Sequence, residues 1–189
     1  MSAARAERRR QAVHLAMTGF ALALRWLTPA QAALCAGAAI VLSWVILPLL
    51  GASLRRPGGP FVDGVRTYPV AVLALVLLLP LPQAAAAWAV LGVGDAASNL
   101  VGSRVGRPGL FGRSDRSLAG TVAFVAAAAP AALGVHAFVA AAAPDWRTTA
   151  VVGLAACAGA AAELLPLPRR VDDNVPIAAA SGLVLGLLL

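Results

Sequence analysis

The sequence predicts an all-α fold, a polytopic transmembrane bundle of about seven spans with the N-terminus inside and the C-terminus outside. Three observations carry that expectation. Of 189 residues, 60% are hydrophobic and only 12% charged, whereas soluble domains carry roughly a quarter charged residues. Apolar runs recur at close to the length of a bilayer crossing. The arginines gather in alternate loops. The length suits a single integral-membrane domain over residues 1–189.

The runs fall at about 11–28, 30–50, 68–82, 83–103, 118–142, 148–166 and 174–189. A helix needs about 20 residues to cross the hydrocarbon core, so the run from 68 is short and the last is marginal. Ala and Gly dominate several runs, and small residues allow the close helix contacts of a compact bundle. The first run follows Arg5, Arg8, Arg9 and Arg10 and superficially resembles a signal sequence, with "AQA" at 30–32 as a cleavage-like site. Arg25 interrupts it and another span follows, so it is expected to stay in place.

The loop 51–67 carries Arg55, Arg56 and Arg66; the loop 104–117 carries Arg104, Arg107, Arg113 and Arg116; the loop 165–173 carries Arg169 and Arg170. Only Arg25 and Arg147 of the fifteen basic residues fall towards the other side. Basic loops stay cytoplasmic, and this asymmetry sets the orientation. It also explains the net charge of +7 without nucleic acid. There is no Lys, which excludes a Walker A loop and Schiff-base chemistry. Cys35 and Cys157, both in apolar runs, suggest neither a disulfide framework nor a metal cluster.

Four polar features interrupt the apolar pattern. In "AVLGVGDAASNLVGSRVG", residues 89–106, Asp95 sits inside a span. A charged group at a helix centre costs roughly 2.5–3.5 kcal/mol even on lenient scales and is a functional candidate by default. Ser98, Asn99 and Gly102 share its helix face at i+3, i+4 and i+7. Such hard oxygens suit Mg²⁺, which uses one or two carboxylates plus substrate phosphates. "GVGDAA" also fits a dinucleotide fingerprint, but that motif needs a βαβ unit, and here it lies in a membrane helix. The second feature, "GSRVGRPGLFGRSDRSLAGT" at 102–121, is rich in Gly and Arg. Exposed amides and guanidinium groups favour phosphate, and the next helix, starting near Ser117, would add its dipole. The plainer reading is a basic cytoplasmic loop.

The third, "AAAELLPLPRRVDDNVP" at 160–176, places Glu163 at the end of the sixth span and Asp172, Asp173 and Asn174 at the start of the seventh. Capping would need one such residue; three suggest a second oxygen-ligand cluster. The fourth is His14 in "RRRQAVHLAMTG", flanked one turn away by Arg10 and Thr18, either structural or part of the site; His136, deep in the fifth span, reads as packing. All four features lie at the predicted cytoplasmic rim. Carboxylates for a metal and arginines for phosphate imply a nucleotide or phosphorylated substrate, and the apolar surroundings imply a lipid partner.

These stretches, in this order, resemble the dolichol kinase and phytol kinase family of CTP-dependent polyprenol kinases. "RRRQAVHLAMTG" is similar to that family's basic-x-x-x-His-x-x-x-x-Gly pattern, and "GDAASNLVGSRVGR" to its Gly-Asp-x-x-Ala-x-x-x-Gly signature, with Ser98 in the Ala position. "RSLAGTVAF" resembles its Lys-Ser-x-Glu-Gly-Thr element, and "AELLPLPRRVDDNVPIAAASG" its closing Glu…Asp-Asn…Pro segment. The resemblance implies phosphorylation of an isoprenoid alcohol (phytol, farnesol, geranylgeraniol or polyprenol) by CTP. Asp95 would hold Mg²⁺ with Asp172 or Asp173, Glu163 being a further metal candidate. Arg116, Ser117, Gly120 and Thr121, with Asn99, Gly102, Arg107 and Asn174 nearby, would hold the nucleotide phosphates, and Asp173 would take the alcohol proton, with His14 a further catalytic candidate. Two positions depart from the pattern: Arg116 replaces the Lys, and Ala119 the Glu, whose role would fall to Glu163 or Asp115. The likeness is greatest to compact bacterial and plastid members, implying a bacterial cytoplasmic membrane with the site facing the cytoplasm. Two other readings stand beside it. A CTP:phosphatidate cytidylyltransferase shares the Asp-x-x-Ala-x-x-x-Gly-Arg element but has a Ser-Pro-x-Lys-Thr-x-Glu-Gly run missing here. A transporter could use Asp95 and Arg25 as an ion path, although transporters place polar groups near the midplane.

Overall fold

The computed structural model describes residue 12 and residues 15–46, 63–105, 109, 116–166 and 172–189. Among the described residues there are seven helices and no strands. Helix α1 spans Leu15–Trp26, its last seven residues wound as a 3-10 helix. α2, Pro29–Val41, begins at a capping box: the Thr28 hydroxyl accepts from the Gln31 amide, the Gln31 side chain accepts from Thr28 N–H, and Pro29 fills the first turn. A π-helical segment, Leu42–Ile46, continues it. α3 is Asp63–Leu78, α4 Leu81–Val105, α5 Leu118–Ala140, α6 Trp146–Glu163 and α7 Asn174–Leu188.

Each helix lies on one of the seven apolar runs. The largest difference is at α3, which starts at Asp63 rather than near 68; its first turn is polar, so hydropathy does not register it. Side-chain bonds at the two ends show that α1, α3, α5 and α7 run one way and α6 the other. At one end Thr67, near the start of α3, reaches Asp172 just before α7, and Arg116 before α5 reaches Glu163 at the end of α6. At the other, Arg25 near the end of α1 donates to the Phe138 carbonyl in the last turn of α5, and Arg147 at the start of α6 donates to Leu188 O at the end of α7. Arg25 also lies over the Phe138 ring, 4.8 Å from its centroid.

α4 runs through the middle, packed against α1, α3, α5, α6 and α7. Its residues from Ala84 to Gly92 are all buried, which requires neighbours on every side. The four consecutive alanines 84–87 keep those neighbours close. Glycines do the same lower down: a Cβ on Gly94 would stand 2.4 Å from the Phe124 ring, and one on Gly159 2.9 Å from Val90. α5 ends in a Schellman motif, with Ala142 N–H bonded to Ala137 O and Ala141 N–H to Phe138 O. Ala141 occupies the left-handed position, φ 54°, where glycine is usual.

The outside of the bundle is apolar. Leu78, Trp146, Leu34 and Leu187 are 80, 82, 74 and 73% exposed, an arrangement that soluble monomers avoid over wide areas. Two helices, Leu81–Val105 and Leu118–Ala140, are long and apolar enough to cross a membrane. At 1.5 Å per residue they span about 35–38 Å. α4 is mostly interior and α5 mostly faces outward.

Candidate functional site

The polar residues converge at the end of the bundle where α4 and α6 finish and α3, α5 and α7 begin. Asp95, 8% exposed, lies ten residues before the end of α4. Asn99 sits one turn further on, as the i+4 spacing predicts. Its amide nitrogen donates to Asp95 Oδ1 at 2.8 Å and to the Asp95 carbonyl at 2.9 Å. That geometry turns Asn99 Oδ1 towards Arg116, whose Nη1 donates to it at 3.4 Å.

Arg116 is the hub. It stands just before Ser117, the N-cap of α5, so the helix start fixes the backbone that carries it. Its Nη1 also donates to Glu163 Oε1 at 2.5 Å, and its Nη2 pairs with Asp173 Oδ2. Glu163, 0% exposed at the last position of α6, takes a second bond from Ser98 Oγ at 3.0 Å. Side chains from α4, α6 and α7 thus meet on one guanidinium at the head of α5. Burial alone depresses the Arg116 pKa, but the Glu163, Asp173 and Asp95 carboxylates outweigh it and hold the group above the ordinary arginine value.

The Asp-Asp-Asn turn divides its work. Asp172 Oδ1 accepts from the Asn174 backbone N–H and from Thr67 Oγ1, both at 3.0 Å, and Asn174 Nδ2 donates to Thr67 Oγ1 at 3.2 Å. Asp172 therefore makes the turn at the α7 start, an Asx-type bond to residue i+2, and ties α7 to α3. Asp173 holds the N-cap position but caps nothing with its side chain; its carboxylate goes to Arg116 instead. This is how one polar triplet supports both the local capping reading and a tertiary cluster.

The glycine and hydroxyl positions expected to cradle phosphate make a contact seam. Ser117 Oγ accepts from Gly120 N–H at 3.2 Å, and Thr121 Oγ1 donates to Ser117 O at 3.2 Å. A Cβ on Gly120 would stand 3.0 Å from the Ser98 carbonyl, and one on Gly102 3.1 Å from Ser117 Oγ. These glycines let α4 and α5 approach closely beside Arg116. The helix start near Ser117 is as expected. His14, Arg107 and Asp115 lie outside the described residues.

Sequence reasoning missed three groups beside the cluster. Tyr68 OH shares a 3.0 Å hydrogen bond with Thr18 Oγ1 and accepts from Trp88 Nε1 at 2.8 Å, joining α1, α3 and α4 in a buried triad. Thr67 and Tyr68 are adjacent polar residues opening an apolar run, which was the available signal.

Among the described residues, no group of three or more His, Cys, Asp or Glu side chains is arranged to hold a metal ion; Glu163 and Asp173 are organised around Arg116 and Asp172 around Thr67. The donor chemistry nonetheless fits a hard cation. The carboxylates and the Asn99 amide oxygen are oxygen donors, and Mg²⁺ needs only one or two protein carboxylates when phosphates supply the rest. No family model, no curated protein and no solved structure matches this chain.

Proposed function

We propose that this chain is an integral-membrane lipid kinase of the dolichol and phytol kinase type, transferring the γ-phosphoryl group of CTP to an isoprenoid alcohol. The observation that supports it best is the buried Arg116 cluster, in which Asn99, Glu163 and Asp173 from three other helices bond one guanidinium beside Asp95. It lies at one end of a bundle whose flanks are apolar. In this reading all seven helices cross a bacterial cytoplasmic membrane, N-in and C-out, with the cluster at the cytoplasmic rim. The arginines at that end, Arg66, Arg104 and Arg116 among them, agree with the positive-inside rule.

Phosphoryl transfer needs little covalent help from protein; positioning and charge neutralisation do most of it. Bound Mg²⁺ would neutralise the nucleotide phosphates, with Asp95 as its protein carboxylate and Asp172, Asp173 or Glu163 as further candidates. Asn99 orients the Asp95 carboxylate through the bond it donates to Oδ1. Arg116 binds phosphate oxygens in exchange for carboxylates: a triphosphate entering the cluster offers it a stronger anion than Glu163 or Asp173. Asp173, whose side chain is 24% exposed, is the carboxylate best placed to accept the proton from the alcohol. Ser117 and Gly120 hold the α5 start against α4 and keep Arg116 in place.

The test is transfer of label from [γ-³²P]CTP in membranes containing the full chain, across a panel of alcohols and nucleotides. The expected products are a labelled lipid monophosphate and CDP. Pyrophosphate with a CDP-lipid would instead identify a cytidylyltransferase, and absence of nucleotide binding in detergent would favour a transporter or structural protein.

A further inference from the structure

Two carboxylates pair with Arg116, and they are held differently. Glu163 is fully buried, and both its oxygens are engaged inside the bundle: Oε1 accepts from Arg116 Nη1 at 2.5 Å and Oε2 from Ser98 Oγ at 3.0 Å. Asn99 Oδ1 accepts from the same Nη1 at 3.4 Å, so side chains of α4 and α6 both grip that nitrogen. Asp173 pairs with the other nitrogen, Nη2, and its side chain is partly exposed. Parting Glu163 from Arg116 strands a buried carboxylate, whereas Asp173 parts into water.

The start of α7 explains why the Asp173 carboxylate reaches Arg116 at all. An N-cap side chain accepts from the backbone N–H two or three positions on. Two positions on, the Val175 N–H already goes to the Asp172 carbonyl at 3.2 Å. Three positions on stands Pro176, which has no N–H. The Asn174 N–H goes to Asp172 Oδ1 at 3.0 Å. Asp172 therefore serves the first turn, and moving Asp173 off Arg116 deprives α7 of no cap.

We infer that Asp173 is the exchangeable partner of Arg116: a ligand phosphate displaces it from Nη2, while Glu163 stays on Nη1 as the positioning residue. The ligand must bring a cation of its own. Among the described residues, Asp95, Glu163 and Asp173 all act on the one Arg116 charge, and a bare anion would add to that excess. The nucleotide and the alcohol rest on the kinase reading; the exchange does not. Within that reading, the exchange orders the reaction. A carboxylate tied to a guanidinium is a poor base, because the ion pair favours its charged form. The triphosphate that takes Arg116 also releases Asp173. The alcohol oxygen then bonds the γ-phosphorus, the bond from that phosphorus to the β–γ bridging oxygen breaks, the alcohol proton passes to Asp173, and CDP leaves. Without a bound donor the base is withheld.

The test separates binding from transfer, using calorimetry of Mg²⁺–tripolyphosphate on the full chain in detergent. Asp173→Asn should bind about tenfold tighter than wild type, since one charge-assisted bond no longer has to be given up. The same variant should transfer no label from [γ-³²P]CTP to geranylgeraniol. A merely structural carboxylate would not move the two readouts in opposite directions. Asp173→Ala gives the same pair of changes if the first variant misfolds. Glu163→Gln should bind about tenfold weaker, its guanidinium having lost the charge-assisted bond that fixes it. Ser98→Ala, which loosens Glu163 and keeps its charge, should shift binding the same way by a smaller factor. Asp145→Asn, at the opposite end of the bundle, should bind as wild type does. Unchanged or weaker binding by both folded Asp173 variants overturns the exchange, as does tightening by Glu163→Gln or no binding by wild type. Full transfer by a variant that binds more tightly refutes the withheld base. Tightening by Asp173→Asn, with no transfer by wild type from any nucleotide to any alcohol, upholds the exchange and sinks the kinase reading. Transfer by wild type, with binding unmoved by either Asp173 variant, does the reverse.

Discussion

Replacing Arg116 with Ala removes the charge on which the cluster is built. Glu163 is 0% exposed, and its remaining hydrogen bond comes from Ser98 at 3.0 Å. Asp173 is partly wetted, with a side chain 24% exposed, so most of the penalty falls on Glu163. Stranding one member of a buried pair costs about 3–5 kcal/mol, and that is the expected loss for Arg116→Ala. Glu163→Gln alone keeps an oxygen for one donor but opposes its amide to the other, costing about 1.5–3 kcal/mol for the lost charge-assisted bond. The double variant removes both buried charges, so it should be more stable than Arg116→Ala alone. Unfolding of all four proteins in one detergent, by heat or denaturant, closes the cycle. Arg116→Lys should fall between wild type and Ala, because an ammonium lacks the planar fork that serves Glu163 and Asp173 together. Single-variant costs that add within about 0.5 kcal/mol would refute the hub, as would a cost under about 1 kcal/mol for Arg116→Ala.

Three other outcomes follow from the geometry. Ala141→Gly should stabilise the chain by about 0.4–1 kcal/mol in a detergent melt, since φ at that position is 54° and the Schellman hydrogen bonds stay intact. Gly94→Ala should cost about 1–3 kcal/mol, because the new methyl would overlap the Phe124 ring at 2.4 Å and loosen α4 from α5; an unchanged melting temperature contradicts that packing. Asp145 caps α6, and the Thr148 N–H donating to its carboxylate holds its pKa below the usual 3.8. A depressed carboxylate pKa adds stability that is present above the unfolded value and lost as pH falls through the folded one. Below about pH 4, wild type should therefore lose more stability than Asp145→Asn, and parallel acid profiles would contradict the cap.

The number of helices was legible because it follows from a one-dimensional signal, apolar run length. The α3 start was not, since Asp63, Gly64 and Arg66 look like loop residues until the turn they form is joined to the run behind them. Asp95 and Asn99 could be paired from the i+4 spacing alone. Arg116 was legible as a phosphate candidate but not as an ion-pair hub, because Glu163 and Asp173 lie 47 and 57 residues away, and no local pattern selects among the available carboxylates. The Asp172–Asp173 division is likewise tertiary: which of two adjacent acids turns the chain depends on where Thr67 and Arg116 stand. Thr18 is noticed only as a neighbour of His14, and Tyr68 and Trp88 give no signal inside their apolar runs, being polar only at the tip.

The most direct measurement compares wild type and Asp95→Asn in proteoliposomes supplied with [γ-³²P]CTP, Mg²⁺ and a twenty-carbon isoprenoid alcohol. Wild type is predicted to yield labelled alcohol monophosphate, and the variant to insert and fold equally well while yielding none. Equal labelling by the two proteins, or none by wild type with any nucleotide, would contradict a CTP site built around Asp95.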